Sequence, residues 1–435
     1  MTKQFHFLGV GGIGMSALAH LLIERGDSVS GSDLKELPHL SGIGVKVTKL
    51  LPKEGTVVYS SAIAQDNPLF IEAKNRDLPV IHRSELVKIL LEDKKGLLVA
   101  GTHGKTSTSA LLAWTLISAE KHLTYAVGGI LQNLQKNGGY GDGEYFALEA
   151  DESDGSFLNY EGEGAIITNI EKEHLEYWKT EEKLLEGFQT FISKVKNPDL
   201  LFWCSDDPLL TQLSPPGVSY GKKGNLKLIA CRQNDGSTFF SAEFEGKKYL
   251  DVEFPIMGET LVLNALAVFG MALRLGLTEG EIRNAFKTFK GVKRRQEKIG
   301  EVGRIAIYDD YAHHPTEIQV LLASMKKGIG KRRLIALFQP HRYTRTRDLF
   351  TEFTGAFAKA DLTIITNLYP AGEKRIPGVS GRNLALEIRG GHTLFLEKDK
   401  LLTYLPKLLI PGDVLITIGA GDITAIGPQV IKAIS

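Results

Sequence analysis

Short apolar runs alternate with helical stretches along most of the chain. The opening reads strand, glycine turn, helix, strand: residues 5–9 are extended, 10–14 turn, 15–25 carry Leu18, Leu21 and Leu22 on a helical period, and 29–31 are again a strand. Apolar runs at 57–59 and 79–81, with helical patterns between them, extend this scheme to about residue 92. The charged Glu92-Asp93-Lys94-Lys95 reads as a linker. A second unit opens with a strand at 96–100, a glycine loop and a helix through 117, then strands at 145–148, 165–168 and 201–204. Residues 225–255 change period, with 237–244 and 249–254 alternating about Glu245-Gly246-Lys247-Lys248 as hairpin strands do. Helices are predicted at 261–275 and 279–286, and the basic Lys293-Arg294-Arg295 marks a second boundary. The last third alternates once more, with strands predicted at 305–308, 334–338, 362–366, 393–396 and 414–418. The pattern predicts an α/β protein of three domains, 1–92, 93–293 and 294–435, the central one combining a parallel sheet with a small antiparallel one.

A chain of 435 residues suits two or three domains, each large enough for its own core. Lys and Arg number 52 against 51 Asp and Glu, so no surplus of cations points to nucleic acid or to a membrane surface as partner. Cys204 and Cys231 are the two cysteines, too few for a disulfide framework or a cysteine zinc ribbon, which suits a reducing compartment. The longest apolar runs, such as 110–119, reach about half the roughly 20 residues of a spanning helix, and no basic, apolar leader precedes the first strand; the expectation is a cytoplasmic protein.

Candidate chemistry sits at the ends of predicted strands. Gly9-Val10-Gly11-Gly12-Ile13-Gly14 fits G-x-G-x-x-G between a strand and a helix, with Asp33 about 20 residues on. At this glycine content the bare pattern arises by chance in about one chain in two, so its context carries the evidence for a Rossmann-like unit whose backbone N–H groups meet a diphosphate. Gly101-Thr102-His103-Gly104-Lys105-Thr106-Ser107, again between strand and helix, is a shortened P-loop: backbone donors for phosphate, Lys105 for β/γ charge, the Thr106 hydroxyl for Mg²⁺. Glu149-Ala150-Asp151-Glu152-Ser153-Asp154 crowds four carboxylates that a cation would neutralise. The next strand ends near Asn169 and Glu171-Lys172-Glu173-His174, so Thr106, Glu149 and His174 are a candidate Mg²⁺ set. In the last third, Asp309-Asp310-Tyr311-Ala312-His313-His314-Pro315-Thr316-Glu317 and Gln339-Pro340-His341-Arg342-Tyr343-Thr344-Arg345-Thr346-Arg347 follow successive strands. The second of these is a guanidinium clamp for carboxylate or phosphate. A zinc site from His313, His314 and His341 is the weaker alternative, because adjacent histidines diverge and no cysteine supports them.

In this order, residues 6–16, 101–107, 149–158, 310–317, 338–346 and 419–423 make the chain resemble the Mur ligase family across its whole length. The resemblance implies a P-loop ATPase-like central domain between a Rossmann-like UDP-sugar domain and a Rossmann-like C-terminal domain that binds an amino acid. It implies ATP and Mg²⁺, with UDP-N-acetylmuramate and L-alanine as the substrates joined through an acyl phosphate. Within the family, the segment 338–346 favours that branch over the murein peptide ligases, which join a tripeptide to the same sugar. The resemblance assigns the P-loop residues to ATP, Thr106, Glu149 and His174 to Mg²⁺, and Asn264, Arg295 and Asp310 to adenine, phosphate and ribose. It assigns Gly11, Gly12, Gly14 and Asp33 to the UDP-sugar, and Tyr311, His313, Arg342 and Arg345 to the amino acid and the acyl-phosphate charge, with domain closure gating turnover. Lys105, Glu149, His174, His313, Arg342 and Arg345 would then form the reaction centre. The chain departs from the family pattern at Thr260-Leu261, at Gln296 after the paired arginines, and at Glu173 before the histidine. A nicotinamide-dependent oxidoreductase would use the first glycine loop and a regulatory ATPase the second, and only a ligase uses both together with the arginine cluster.

Overall fold

Among the residues described by the computed structural model, 2–34, 37–234 and 236–435, the strands form three sheets. The first holds β1 (Gln4–Leu8), β2 (Ser28–Ser32), β3 (Lys46–Val47), β4 (Thr56–Tyr59) and β5 (Val80–His82) in the order β3-β2-β1-β4-β5, all parallel. Helix α1 (Ile13–Glu24) follows β1, and α2 (Arg83–Leu91) follows β5. The order turns outward from β1 in both directions, which puts the glycine loop after β1 at the switch point where α/β sheets bind ligands.

The second sheet has ten strands: β6 (Lys95–Ala100), β7 (Thr124–Leu131), β8 (Lys136–Gly139), β9 (Tyr145–Glu149), β10 (Gly164–Ile167), β11 (Leu201–Cys204), β12 (Val218–Gly221), β13 (Leu226–Asn234), β14 (Ser237–Phe244) and β15 (Lys247–Phe254). Its order is β15-β14-β13-β12-β11-β10-β6-β9-β7-β8, and β6 lies between two parallel neighbours, β10 and β9. The hairpin strands join the parallel ones through the β12–β13 pair, so the sheet is continuous. The turn between β14 and β15 is shorter than its sequence suggests: Glu245-Gly246 alone make it, and Lys247-Lys248 already belong to β15. The charged stretch after α2 is likewise short, since β6 begins at Lys95, with Lys94 Nζ donating to Gly141 O at 2.9 Å and Lys95 N to Glu144 O at 2.7 Å.

The third sheet runs β16 (Glu297–Val302), β17 (Ile305–Asp310), β21 (Val414–Ile418), β18 (Leu334–Phe338), β19 (Leu362–Ile365) and β20 (His392–Phe395), parallel except for the antiparallel edge strand β16. Alternate residues of β18 enter opposite cores: Leu334, Ala336 and Phe338 pack in one cluster, Ile335 and Leu337 in the other. Burial on both faces demands an unbroken apolar run, and each large side chain so buried contributes about 1.5–3 kcal/mol.

By contacts the chain divides into two units. One comprises residues 1–231, 240–254 and 260–290, the other 232–239, 255–259 and 291–435. Within the first unit, α1 packs on the strand β8, where a Cβ at Gly138 would stand 2.1 Å from Ala17 O. Asn137 Nδ2 donates to Ile13 O at 2.7 Å beside it.

Candidate active site

Strand β6 ends at Ala100 and helix α3 (Lys105–Ser118) starts five residues later, leaving Gly101-Thr102-His103-Gly104 as the loop. Gly104 caps α3 with φ 82°, and a Cβ there would lie 2.4 Å from Asn264 Nδ2, so only glycine fits. Asn169 braces the loop from the end of β10: its Oδ1 accepts from His103 N at 2.8 Å and its Nδ2 donates to His103 O at 2.9 Å. Lys105 Nζ donates to Gly101 O at 2.7 Å and Thr102 O at 3.1 Å and stands 2.7 Å from Glu152 Oε2. The pair is deeply placed, the Glu152 side chain being 1% exposed. Burial works to lower the Lys105 ammonium, but the Glu152, Asp151 and Glu149 charges together outweigh it and hold it above the usual lysine value.

Thr106 and Glu149 meet as the strand ends require. Thr106 Oγ1 donates to Glu149 Oε1 at 3.1 Å, while Glu149 Oε2 accepts from Gly128 N at 2.7 Å. A hydroxyl beside a carboxylate fits Mg²⁺, a hard ion that keeps waters and phosphate oxygens as its other ligands. Among the described residues no group of three or more His, Cys, Asp or Glu side chains is arranged to hold a metal unaided. His174 follows the same loop region with φ 56°, its Nε2 3.9 Å from Glu152 and 3.8 Å from Glu173, its Nδ1 3.5 Å from Glu176. Asn264, assigned to adenine, is buried beside Gly104, and its Nδ2 has no hydrogen-bond partner among the described residues, a donor suited to a base. The Thr260 side chain lies outside the described residues.

The first glycine loop is built from the same elements. Gly9 N and Val10 N donate to Ser32 O at 2.8 and 3.1 Å, and Gly11 N donates to Asp33 Oδ2 at 2.9 Å. A Cβ at Gly14 would meet Arg83 Nη1 at 3.0 Å, placing a guanidinium at the first turn of α1. That guanidinium also lies 3.4 Å from Asp151 and 3.5 Å from Asp154.

In the second unit, Asp310 at the end of β17 accepts from Gln296 N and Ala312 N, both at 2.7 Å. Burial pushes its carboxyl up to about 6, with Arg295 opposing the shift. Arg295 and Arg294 stand 5.5 and 4.9 Å from the Tyr311 ring centroid. Tyr311 packs edge-on against His313, whose Nδ1 lies 3.0 Å from Tyr311 O. Burial, Arg345 and Arg295 lower the His313 imidazole against the pull of Glu317. His341 sits between the His313 ring, 6.2 Å away, and Tyr369, on which it stacks at 5.6 Å. Arg345 Nη1 donates to His341 Nδ1 at 3.2 Å, and burial together with Arg345, His313 and Arg342 brings His341 down to about 4. Arg342 takes φ 70° ahead of the short helix Tyr343–Asp348, an uncommon conformation for a side chain with a Cβ. The cluster is therefore cationic through its guanidinium groups while its imidazoles stay neutral at pH 7, which suits carboxylate and phosphate oxygens.

Three family models tile the chain: the Mur ligase family catalytic domain over residues 4–95, the Mur ligase middle domain over 99–272, and the Mur ligase glutamate ligase domain over 294–421. The chain belongs to the Mur ligase family. It is 41% identical to the UDP-N-acetylmuramate--L-alanine ligase of Protochlamydia amoebophila, over 99% of this chain and 98% of that one. The crystal structure of UDP-N-acetylmuramate-alanine ligase MurC from Thermotoga maritima superposes with a TM-score of 0.85 at 29% identity, covering 99% of this chain and 98% of the other. A murein peptide ligase from Psychrobacter arcticus shares the fold at TM-score 0.70 and 22% identity, over 99% and 98% of the two chains.

The structure of this Mur ligase adds residues to the site that its sequence did not single out. Glu152 was legible as one of four acids, but its contact with Lys105 was not. Arg83 escaped notice because it lies in α2, away from any glycine loop; its signal was the lone cation after the strand Val80–His82. Glu317, which accepts from His313 N at 2.9 Å and His314 N at 3.1 Å, closes a capping box whose spacing was readable in the sequence.

Proposed function

We propose that this Mur ligase joins L-alanine to the lactyl carboxylate of UDP-N-acetylmuramate at the expense of ATP, making a precursor of peptidoglycan. The observation that carries this is the Lys105–Thr106–Glu149 group at the ends of β6 and β9, in a chain aligned from end to end with an L-alanine ligase. A lactyl carboxylate oxygen attacks the γ-phosphorus of ATP, the bond to the β-phosphate oxygen breaks, and ADP leaves. The alanine amine then attacks the acyl carbon, loses a proton, and phosphate departs.

Such transfer is governed by positioning and neutralisation of charge. Residues 101–107 hold the phosphates, Lys105 facing the β/γ oxygens, with Asn264 on adenine, Arg295 on phosphate and Asp310 on ribose. Thr106 and Glu149, with His174 directly or through water, would hold Mg²⁺, which when bound neutralises charge on the phosphate oxygens. Gly11, Gly12 and Gly14 receive the UDP diphosphate, with Asp33 beside the uridine. Tyr311, His313, Arg342 and Arg345 take the alanine carboxylate and the acyl-phosphate charge. This reading assigns residues 1–92 to the UDP-sugar, 93–293 to ATP and 294–435 to the amino acid.

Phosphate release from ATP and Mg²⁺ with UDP-N-acetylmuramate tests the reading, comparing L-alanine, glycine, L-serine, a γ-D-glutamyl tripeptide and no acceptor. L-alanine-dependent release is expected; preference for the tripeptide would make the chain a murein peptide ligase, and no release with any acceptor would remove the ligase reading. Arg345→Ala is expected to raise the Michaelis constant for L-alanine more than that for ATP, and an ATP-selective defect would contradict its place at the carboxylate.

A further inference from the structure

Of the acids in the 149–154 segment the ligase reading gives a role to Glu149 alone, and Glu152 is the most deeply buried of the other three. Its side chain is 1% exposed. Its neighbours are Lys105 Nζ at 2.7 Å and, from Oε1, His174 Nε2 at 3.9 Å. The other acids are engaged elsewhere: Glu149 with Thr106 and Gly128, Asp151 with Ser153 N and Arg83, Asp154 with Ser61, Ser156 and Arg83. A buried carboxylate held by a single ammonium is costly to leave unpaired. In the same geometry Lys105 Nζ also donates to Gly101 O and Thr102 O, so all its near partners belong to the protein.

We propose that Glu152 is a positioning residue, the resident counter-ion of Lys105, which holds the ammonium in reserve and must be exchanged for nucleotide phosphate when ATP binds. The Lys105–Glu152 contact thus opposes ATP binding and sets its affinity. This inference rests on the ATP reading of the loop.

The test is equilibrium binding of Mg·ATP to the full chain by calorimetry, without the other substrates. Glu152→Gln keeps the shape and removes the charge, so it is expected to bind Mg·ATP about tenfold more tightly, the factor of one charged contact no longer broken. Equal or weaker binding by a folded Glu152→Gln protein would overturn the proposal. A stability cycle reads the pair without nucleotide: Lys105→Met is expected to lower the thermal midpoint, and Glu152→Gln added to it to restore most of the loss. Additive losses would overturn the pairing. Failure of the unmutated chain to bind Mg·ATP would instead refute the ATP reading, leaving the cycle to judge the pair.

Discussion

The chain builds strand, glycine loop and helix twice in its first 118 residues, and the two loops differ in what closes them. After β1, the Gly11 N–H is taken by the Asp33 carboxylate from the end of the neighbouring strand, and the loop itself contains no cation. After β6, the loop carries its own ammonium, Lys105, turned inward on carbonyls and on Glu152. The strands differ too: β6 feeds its loop with Leu97, Leu98, Val99 and Ala100, all buried, whereas β1 carries the buried imidazole of His6. A loop of backbone donors alone can recognise a diphosphate and hold it. A loop with a mobile cation facing acids can in addition follow charge as it moves, which is what phosphoryl transfer requires. Under the proposed function, the contrast is that between a binding loop and a reacting one.

The largest effect should come from removing that cation. Lys105→Ala is expected to lower kcat by at least about 10³-fold, since the γ-phosphate loses the charge that follows it into the transition state. Binding of UDP-N-acetylmuramate, measured by calorimetry on the same preparation, should change little, because the loop after β1 is untouched. Parallel loss of sugar affinity would erase the division between the loops.

Next in size is the platform beneath the first loop. His6 Nδ1 lies 2.8 Å from Ser30 Oγ, its Nε2 is buried without a partner among the described residues, and burial lowers it to about 4. Because the folded value is below the unfolded one, the unfolded chain takes up the proton first as pH falls below 6.5, and stability drains until the folded protein protonates near 4. The full span corresponds to about 3 kcal/mol. The thermal midpoint should therefore fall between pH 7 and pH 4, and His6→Leu, whatever its midpoint at pH 7, should flatten that fall. An unchanged slope would show that the two platforms do not differ in this respect.

What was legible in the sequence follows the same division. The P-loop could be read because each of its functions needs a fixed residue type within seven positions, and the strands of the third sheet because burial on both faces writes continuous apolar runs, as in Leu334 to Phe338. Strand β8 was not legible. Its Lys-Asn-Gly-Gly composition argues against a strand, and the glycine is required by Ala17 O of α1, a neighbour far off in sequence. The polar alternation of β16 was missed for a related reason, since an edge strand need bury only part of one face. Glu152 shows the limit most plainly: which of four acids turns inward to Lys105 depends on how the segment after β9 bends, and the other three are drawn away by Thr106, Arg83 and Ser61.

The smallest predicted effect probes the closure of the first loop. A Cβ at Gly11 would stand 2.8 Å from Asp33 Oδ2 and 2.9 Å from Leu37 Cδ1, both ends of side chains able to yield. Gly11→Ala should thus fold normally, push the Asp33 carboxylate off the Gly11 N–H, and narrow the mouth through which a diphosphate reaches the backbone donors. The expected outcome is a rise of about tenfold in the Michaelis constant for UDP-N-acetylmuramate, worth about 1.4 kcal/mol, with that for ATP unchanged. The same substitution at Gly104 would meet φ 82° and Asn264 Nδ2 at 2.4 Å, so there it strains the backbone and disturbs the ATP loop instead. Opposite substrate signatures from one added methyl group would establish that the two loops receive different molecules; a shared rise in both constants for Gly11→Ala would show that they do not act separately.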